Sequence, residues 1–463
     1  MAAAHHDHQA SSRVSITKTV SVHPKTLHPQ KLLELSNLDR QCPTIMYLVF
    51  FYKPSPTHQN LSTDMVFSRL KTGLEEALSV WYPAAGRLRV NSGDGKLNLS
   101  CNNDGAVLVE AVTQVTISEL GDLSQYSEFY EELVFKPAVN GNISDMPLVV
   151  AQVTRFRCGG YSLGIGTSHS LFDGAAAYDF LHAWASQAKM KGSQAVELYE
   201  PVHERGLLLG KHRTLTETSY MRQNFNLVTR VAAIDHLYQL IKEAAHNQNN
   251  HIESHVFTTF HLGGAMIEKL KRKVFGEKRG SFSCSSFEVV AAHLWKARTK
   301  ALGVGKERMV CLQFAVDTRN KMDPPLPKGF TGNAYVLASV ASSAGELEEQ
   351  SHESIVEKIR EAKSSVTAGY VNAYIKALEG PQAALPPLME LTIVSDWTRL
   401  PFHRVDFLGE EAAYASPLAP PIPQVAYLML NPTEPKSKAI DLRIGLLPTM
   451  KPAFSHYFLK DLQ

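Results

Sequence analysis

A histidine followed four residues later by an aspartate, His169 and Asp173, is the combination in this sequence best suited to acid–base chemistry. A histidine ring has an ordinary pKa of about 6.5, so its neutral form can accept a proton near neutral pH. The aspartate could orient the imidazole directly, or it could pair with an arginine elsewhere and hold the loop. The spacing alone leaves a structural histidine as the alternative, because with 19 histidines about one such pair is expected by chance.

A second candidate is Ser162, the central residue of a G-x-S-x-G pattern at Gly160–Gly164. In an α/β hydrolase this serine lies in a sharp turn between a strand and a helix. Here Ser162 is followed by alternating apolar residues, which predict more strand and no helix. We therefore interpret Ser162 as a strand residue beside a glycine turn and not as a nucleophile.

The predicted elements place His169 at the junction of a strand and a helix. Leu148–Phe156 and Tyr161–Ser168 are rich in strand formers and are separated by a glycine turn, which predicts a hairpin. Small and aromatic residues from Gly174 to Trp184 then predict a helix. This position strengthens the catalytic interpretation of His169.

The rest of the chain reads as two mixtures of helices and strands. The hydrophobic periodicity predicts one further strand and two further helices, at Val14–Val20, Leu61–Leu78 and Ala232–Ala245. Residues 190–225 lose this periodicity and are interpreted as a crossover, after which the second mixture begins near Val256. Proline and glycine mark predicted loops at Gly380–Pro387 and Pro417–Pro423.

Length and composition describe a globular protein with two domains. The chain has 463 residues, and single cores stop growing at roughly 250–300 residues. Hydrophobic residues at 44% and charged residues at 20% exclude a disordered chain. Lys and Arg number 47 against 45 Asp and Glu, so the formal net charge of +2 provides no bulk attraction for nucleic acid.

Cysteine spacing and hydropathy predict an intracellular protein without metal or transmembrane segment. The five cysteines are widely spaced and form no C-x-x-C pair, so neither a disulfide framework nor a zinc site is indicated. The N-terminus lacks the apolar region of a secretory signal, and no apolar stretch approaches the roughly 18–20 residues of a membrane span. His293 lies on an apolar helical face and is predicted to be a core histidine, and the basic run Lys211–Arg213 to be a solvated surface.

Several ordered segments resemble the BAHD acyltransferases, plant-centred enzymes that move an acyl group from a coenzyme A (CoA) thioester to an alcohol or amine. The resemblance covers nearly the whole chain. His169–Gly174 matches the family's H-x-x-x-D-G motif. The other segments that resemble family motifs are Trp81–Leu88, Ser286–Trp295, Val316–Arg319, Pro324–Pro327 and Gly332–Asn333.

One segment departs from the family pattern. The family carries D-F-G-W-G near its C-terminus, whereas Asp406–Glu410 keeps only the first two residues of this motif. In the family this loop lies away from the catalytic histidine and supports the fold and the CoA site. The departure therefore bears on CoA affinity or loop geometry, and it leaves a non-catalytic accessory protein as an alternative.

The resemblance implies an α/β fold like that of chloramphenicol acetyltransferase, with two similar-sized domains whose mixed β-sheets are flanked by helices. The implied division is residues 1–195 for the N-terminal domain, 196–228 for a crossover linker and 229–463 for the C-terminal domain. A channel at the interface would admit acyl-CoA as co-substrate from one side and a small-molecule acceptor from the other, with no permanently bound cofactor. A monomer suits such a site, because one chain supplies both domains.

The resemblance also implies roles for individual residues. His169 would act as general base, and Ser395 and Trp397 would stabilise the oxyanion of a tetrahedral intermediate. Asp173 would turn away from the active site and bind Arg319, which is a structural role. A plain core aromatic is the alternative for Trp397. The residues implied to bind CoA are Ser285, Ser286, Arg319 and Asn333.

Among branches of the family, the sequence is most similar to the brassinosteroid-related acyltransferases, in Ser36–Pro43, Pro147–Thr154 and Gly166–Gly174. The expected reaction is acyl transfer to a hydroxyl of a hydrophobic small molecule, with a brassinosteroid as the acceptor. The alternatives are a hydroxycinnamoyl-CoA O- or N-acyltransferase of phenolic or polyamine acceptors and the accessory protein above. A cytoplasmic location is expected, with or without association with the endoplasmic reticulum.

Overall fold

The structure is a computed structural model that describes residues 12–56, 61–138, 142–188, 200–209, 255–275, 284–378, 390–418, 422–434, 438–460 and 462. Within these ranges the strands are β1 (Val14–Val22), β2 (Lys31–Glu34), β3 (Ile45–Tyr52), β4 (Arg87–Val90), β5 (Leu97–Cys101), β6 (Ala106–Thr113), β7 (Val149–Phe156), β8 (Tyr161–Ser168), β9 (Val256–Leu262), β10 (Met309–Asp317), β11 (Tyr335–Ser343), β12 (Leu391–Asp396), β13 (Tyr414–Leu418), β14 (Val425–Leu430) and β15 (Ile440–Leu446). The helices there are α1 (Asn37–Arg40), α2 (Thr63–Val80), α3 (Gly174–Ala188), α4 (Gly264–Phe275), α5 (Ser286–Leu302), α6 (Ala344–Glu349), α7 (His352–Ser364), α8 (Ala368–Ala377) and α9 (Lys451–Leu459).

The first large sheet has the strand order β1-β6-β7-β8-β3-β13. Its strands β6 and β7 run parallel, and the other neighbouring pairs are antiparallel. The strands β7 and β8 form the predicted hairpin, with Val149 opposite Thr167. Every residue of β8 is buried, because α2 and α3 pack on one face and the segment Glu128–Leu133 packs on the other.

The helices α2 and α3 pack against each other on this sheet. Ser62 caps α2 with its side chain, in agreement with the predicted start of this helix. Gly73 permits the close contact, because a Cβ there would lie 2.7 Å from the backbone nitrogen of Ala188. Trp184 Nε1–H donates to the carbonyl of Leu70 at 2.8 Å. These contacts fix α3, which begins immediately after the H-x-x-x-D segment.

The second large sheet has the order β11-β10-β12-β14-β15-β9, and a small third sheet has the order β2-β5-β4. In the second sheet β12 runs parallel to both β10 and β14. Its core is shared with α5, α7 and α9. His293 in α5 is 2% exposed, and its Nε2 lies 2.7 Å from the carbonyl of Phe458, so the predicted core histidine is confirmed.

A segment of the second half completes the first sheet. The strand β13 pairs antiparallel with β3, with Pro417 opposite Leu48, so the loop predicted for Pro417–Pro423 is wrong at its first two residues. Proline fits there because β13 is an edge strand, and an edge strand has one side on which no ladder donor is needed. The first core also contains Phe402, Val405 and Phe407 from the chain before β13. The second half of the chain therefore contributes one strand to the first sheet. The division at residues 196–228 remains a prediction.

Some predictions fall on residues that the structure does not describe. The helix Ala232–Ala245, the basic run Lys211–Arg213 and the loop Gly380–Pro387 lie outside the described residues, and the crossover is described only at 200–209. Among the described helices, none has the length and hydropathy needed to cross a bilayer. In the same ranges, no group of three or more His, Cys, Asp or Glu residues is arranged to hold a metal ion.

The glycine pattern around Ser162 is explained by packing and not by a nucleophile turn. Ser162 lies within β8 and is fully buried. A Cβ at Gly164 would lie 2.0 Å from the carbonyl oxygen of Leu133, and one at Gly160 would lie 2.7 Å from that of Tyr52. Both glycines are therefore needed where another backbone approaches β8.

We expect Gly164→Ala to lower the free energy of unfolding by about 1–3 kcal/mol or more, because the backbone of Leu133 must move. Chemical denaturation of purified protein measures this change. Gly206→Ala is the control, since no atom lies within 4 Å of a Cβ built there. Equal stability of Gly164→Ala and Gly206→Ala would contradict the packing explanation.

Candidate active site

His169 follows β8 directly and lies where the two halves of the chain meet. Its backbone N–H donates to the carbonyl of Thr44 at 2.8 Å, and its own carbonyl accepts the Nδ2–H of Asn333 at 2.7 Å. Its half-buried ring packs edge-to-face on Tyr335, with 5.9 Å between the ring centroids. Thr44 belongs to the first half, whereas Asn333 and Tyr335 belong to the second, so both halves build the surroundings of the histidine.

The protonation of His169 suits a base. Burial lowers the pKa of its imidazole below the ordinary value of 6.5. Smaller contributions raise this pKa: the ring's interaction with its own carbonyl, the charges of Asp173 and Asp39, and the side chain of Asn333. The net lowering favours the neutral ring at neutral pH. Of the two ring nitrogens, only Nδ1 can reach the residue's own carbonyl, and this interaction favours the tautomer that carries its proton on Nδ1.

Asp173 directs its carboxylate at groups other than the His169 ring. Arg319 Nη1 and Nη2 donate to its Oδ2 and Oδ1 at 2.9 and 3.0 Å. The backbone N–H of Ala176 donates to Oδ1 at 2.9 Å, and that of Ala334 donates to Oδ2 at 3.0 Å. The carboxylate therefore holds the first turn of α3 and, at the same time, two groups of the second half.

The ion pair between Asp173 and Arg319 is charged and nearly enclosed. Burial alone would raise the pKa of Asp173, but the charge and hydrogen bonds of Arg319 and of two backbone N–H groups outweigh it and lower this pKa. Arg319 Nη2 also donates to the carbonyls of Phe330 and Gly332 at 3.2 and 3.1 Å. The pair thereby ties the start of α3 to the segment Phe330–Ala334.

The motif glycine, Gly174, lies against the turn that carries Trp397. A Cβ at Gly174 would lie 2.9 Å from Leu400 Cδ1. Leu400 closes that turn by donating its backbone N–H to the carbonyl of Trp397 at 2.9 Å. The small glycine thus allows the second half to approach the H-x-x-x-D motif and brings the Trp397 turn beside it.

Ser395 lies in β12, and Trp397 directly follows this strand. The indole Nε1–H donates to Ser395 Oγ at 2.9 Å, so the Ser395 hydroxyl keeps its own proton for another acceptor. Trp397 also packs on Phe402 and Tyr427, with ring centroids 5.4 and 5.9 Å apart. Trp397 is therefore a half-buried aromatic that packs against the core and donates its indole N–H to Ser395.

The residues implied to bind CoA occupy two places. Ser285 caps α5: its Oγ accepts the N–H of Glu288 at 3.2 Å, and Glu288 Oε2 accepts the N–H of Ser285 at 3.0 Å. Ser286 is the first residue of that helix. Arg319 and Asn333 lie instead around the H-x-x-x-D motif, where both make hydrogen bonds to protein groups.

Two buried charged residues of this region, Asp39 and Arg205, are not singled out by the sequence reasoning. They are 0% and 3% exposed, and Arg205 Nε lies 3.5 Å from Asp39 Oδ2. Ser36–Asp39 has the S-x-x-D pattern of a capping box, which the structure forms, so a signal for Asp39 existed. Arg205 lies in the predicted crossover, where no periodicity marks a buried side chain.

The loop Asp406–Glu410 docks on the core of the first half in spite of its departure from D-F-G-W-G. Phe407 is 3% exposed and packs edge-to-face on Trp184, with 5.1 Å between the ring centroids. Asp406 Oδ1 accepts the N–H of Gly409 at 2.6 Å, and Gly409 has a φ of 86°, which glycine favours. The two retained residues of the motif are therefore the ones that hold the loop.

Comparisons with known proteins agree with this architecture. Residues 12–458 match the sequence profile of the Transferase family. Brassinosteroid-related acyltransferase 1 of Arabidopsis thaliana is 54% identical, over 97% of this chain and 98% of the relative. Omega-hydroxypalmitate O-feruloyl transferase of the same species is 31% identical, over 95% and 91%.

Solved structures show the same fold. Vinorine synthase superposes with a TM-score of 0.73 at 20% identity, over 97% of this chain and 98% of that one. The F. graminearum protein TRI101, complexed with ethyl coenzyme A, superposes with a TM-score of 0.66 at 13% identity, over 92% and 96%. The expected two-sheet α/β fold is confirmed. With the family profile and the curated relatives, it follows that this chain belongs to the BAHD transferase family and is an acyltransferase.

Proposed function

We propose that this acyltransferase transfers an acyl group from a CoA thioester to a hydroxyl of a hydrophobic small molecule, with a brassinosteroid as acceptor. The observation that carries the proposal is His169, a histidine at the meeting of the two halves whose pKa is lowered by burial. The relative named brassinosteroid-related acyltransferase 1, at 54% identity, supports the acceptor class. A TRI101 structure that contains ethyl coenzyme A supports CoA thioesters as donors for this fold.

The proposed chemistry needs one base and no covalent acyl-enzyme. His169 Nε2 takes the proton of the acceptor hydroxyl while the oxygen attacks the thioester carbonyl carbon. The resulting tetrahedral intermediate collapses, the carbon–sulfur bond breaks, and the CoA thiolate leaves. The imidazolium of His169 then returns its proton to the thiolate, which regenerates the neutral base and releases the ester and free CoA.

The oxyanion of the intermediate requires a donor, and Ser395 is the group with a proton to give. Loss of one such donor typically costs about 3–4 kcal/mol of transition-state stabilisation. The Ser395 hydroxyl accepts from Trp397 Nε1–H at 2.9 Å, which polarises it and fixes its orientation. We assign the direct contact to Ser395 and a supporting role to Trp397.

We propose that Ser285 and Ser286 bind CoA directly. Arg319 and Asn333 would support CoA binding indirectly, by holding other residues of the site in place. The first turn of α5 offers N–H groups that favour a phosphate. Two basic residues of α7, Arg360 and Lys363, lie 3.5 and 3.9 Å from the carboxylate of Glu288 in this turn. Arg319 and Asn333 are engaged with Asp173 and His169, so their contribution is to hold the site.

A hydroxycinnamoyl-CoA acyltransferase remains the second candidate. Its support is the relative at 31% identity named as an O-feruloyl transferase. A non-catalytic accessory role loses its main argument, because the departing loop Asp406–Glu410 is folded onto the core by its retained residues. A cytoplasmic location, with or without association with the endoplasmic reticulum, and a monomeric state remain predictions.

A screen of the purified protein tests the proposal. Acetyl-, long-chain acyl- and feruloyl-CoA are offered with steroid, phenolic and polyamine acceptors, and esters or amides are detected by mass spectrometry. We expect turnover with a hydroxylated steroid and a loss of about 100- to 10,000-fold in His169→Gln. Preferred turnover of a phenol or polyamine would select the second candidate, and unchanged turnover in His169→Gln would refute the mechanism.

The pH dependence of kcat/KM should report the pKa of His169 in the enzyme without bound substrate. Because burial lowers its pKa below 6.5, the rate should be constant from pH 7 to 8.5 and fall only at pH values below 6.5, where the ring becomes protonated. Steady-state kinetics across this range measure the profile. An inflection above pH 7 would contradict a base with a lowered pKa.

We expect Asp173→Asn to destabilise the protein by about 3–5 kcal/mol, because it removes the buried carboxylate partner of Arg319 and leaves the exposed Asp317 as the acidic group beside this charge. The lowered pKa of Asp173 means that this stability is present at neutral pH and is lost as the pH falls through that lowered pKa. Thermal and chemical denaturation provide the measurement.

Asp317→Asn is the matched control for that change. The Asp317 side chain is 57% exposed and lies 3.4 Å from the same arginine, so its loss should cost about 1 kcal/mol or less. If Asp173→Asn instead expresses and melts normally but loses activity, Asp173 acts on the reaction itself and the structural assignment is wrong.

A further inference from the structure

Asn333 connects a buried carboxylate of the first half to the backbone of His169. It is 0% exposed. Its Nδ2 donates to Asp39 Oδ1 at 3.0 Å and to the His169 carbonyl at 2.7 Å, and its backbone N–H donates to the same Asp39 oxygen at 2.9 Å. One amide thus bridges Asp39 and His169 across the interface of the two halves.

Asp39 is itself fixed on its other side. Its Oδ2 accepts from the backbone N–H of Ser36 at 3.0 Å and from Ser36 Oγ–H at 2.7 Å, and Arg205 Nε lies 3.5 Å from it. The carboxylate is fully buried. Every one of these partners is a donor or a cation, so both carboxylate oxygens of Asp39 are satisfied in spite of the burial. Asp39 is therefore a rigid acceptor for Asn333.

These contacts allow one orientation of the Asn333 amide. Its NH₂ group faces a carboxylate and a carbonyl, and a flipped amide would point its oxygen at both of them. The correct orientation leaves Asn333 Oδ1 buried and without a hydrogen-bond partner among the described residues. An unpaired buried oxygen costs stability. The Asn333 amide keeps this orientation in spite of the cost, because the orientation preserves the hydrogen bonds of its NH₂ group to Asp39 and His169.

The carbonyl that Asn333 holds is also the one that interacts with the His169 ring. The ring's interaction with its own carbonyl and the Asn333 side chain both raise the pKa of His169, against the larger effect of burial. A carbonyl that accepts from Asn333 cannot rotate away from Nδ1–H without losing a 2.7 Å hydrogen bond. A carbonyl held in this direction favours the ring proton on Nδ1.

We propose that Asp39 and Asn333 are positioning residues for His169: Asp39 orients the Asn333 amide, and this amide holds the His169 carbonyl so that Nδ1 keeps the ring proton and Nε2 faces the acceptor hydroxyl. The inference rests on the proposed function, in which His169 is the base. It assigns Asn333 to the catalytic histidine and not to CoA. Removal of the amide should lower kcat and leave KM nearly unchanged, because neither substrate is touched.

The test compares Asn333→Ala with Thr331→Val, a matched change in the same buried segment. Thr331 Oγ1 lies 3.0 Å from Arg205 Nη1 and from His203 Nδ1 and donates to the Val202 carbonyl at 3.3 Å, and none of these partners is His169. We expect Asn333→Ala to lower kcat about 10- to 100-fold with KM within about two-fold. Thr331→Val should lower the melting temperature and keep kcat within about two-fold.

A readout without turnover separates this inference from the proposed function. Histidine labelled with ¹⁵N in the ring gives the tautomer and pKa of His169 by NMR, with His169→Gln to assign the signals. We expect a single Nδ1–H tautomer in the unmodified protein and a mixture in Asn333→Ala and in Asp39→Asn. An unchanged tautomer and unchanged kcat in Asn333→Ala would overturn the positioning role, even if His169→Gln is inactive.

Full activity of His169→Gln would refute the proposed function instead, while the tautomer would still report whether Asn333 holds the ring. Asp39→Asn leaves Arg205 without its buried partner and can fail to fold. In that case Asn333→Ala alone tests the inference, because this variant removes no charge and leaves the Asp39–Arg205 pair in place. Equal losses of kcat in Asn333→Ala and Thr331→Val would show a general packing effect and would also overturn the inference.

Discussion

The bidentate ion pair between Asp173 and Arg319 holds the two halves of the protein together at the place where the site is built. Its carboxylate starts α3, and its guanidinium grips the carbonyls of Phe330 and Gly332. An aspartate in this position cannot also orient the imidazole, because both of its oxygens are occupied by donors. This arrangement supports the proposed structural role of Asp173 over a catalytic dyad with His169.

A second pair of opposite charges, Asp39 and Arg205, lies on the other side of the segment Phe330–Ala334. The two carboxylates bind consecutive backbone N–H groups of this segment, at Asn333 and Ala334. Hydrogen bonds to two buried carboxylates thus fix the backbone of the segment Phe330–Ala334. The near balance of charge over the whole chain, a formal net charge of +2, hides this concentration of paired charges at the interface.

The contribution of β13 to the first sheet fixes the chain segment that precedes this strand. The segment that leaves β12 passes Trp397, places Leu400 over Gly174, inserts Phe407 into the first core and ends as β13 on the first sheet. The Trp397 turn beside Gly174 is therefore held at both ends, by the second sheet before it and by the first sheet after it. Local fraying of such a turn requires that one of these attachments is broken.

The sequence by itself determined the local elements around His169 and the family of the chain. Periodicity gave the hairpin before His169 and the helix after it, and ordered motifs indicated the family, because these signals depend on neighbouring residues. Tertiary structure alone decided that Pro417 lies in an edge strand, that Asn333 bridges Asp39 and the His169 carbonyl, and that Arg205 pairs with Asp39. Those roles depend on contacts between residues far apart in the chain, such as Asp39 and Asn333, which are 294 positions apart. No local pattern records which distant partner a buried polar group will meet.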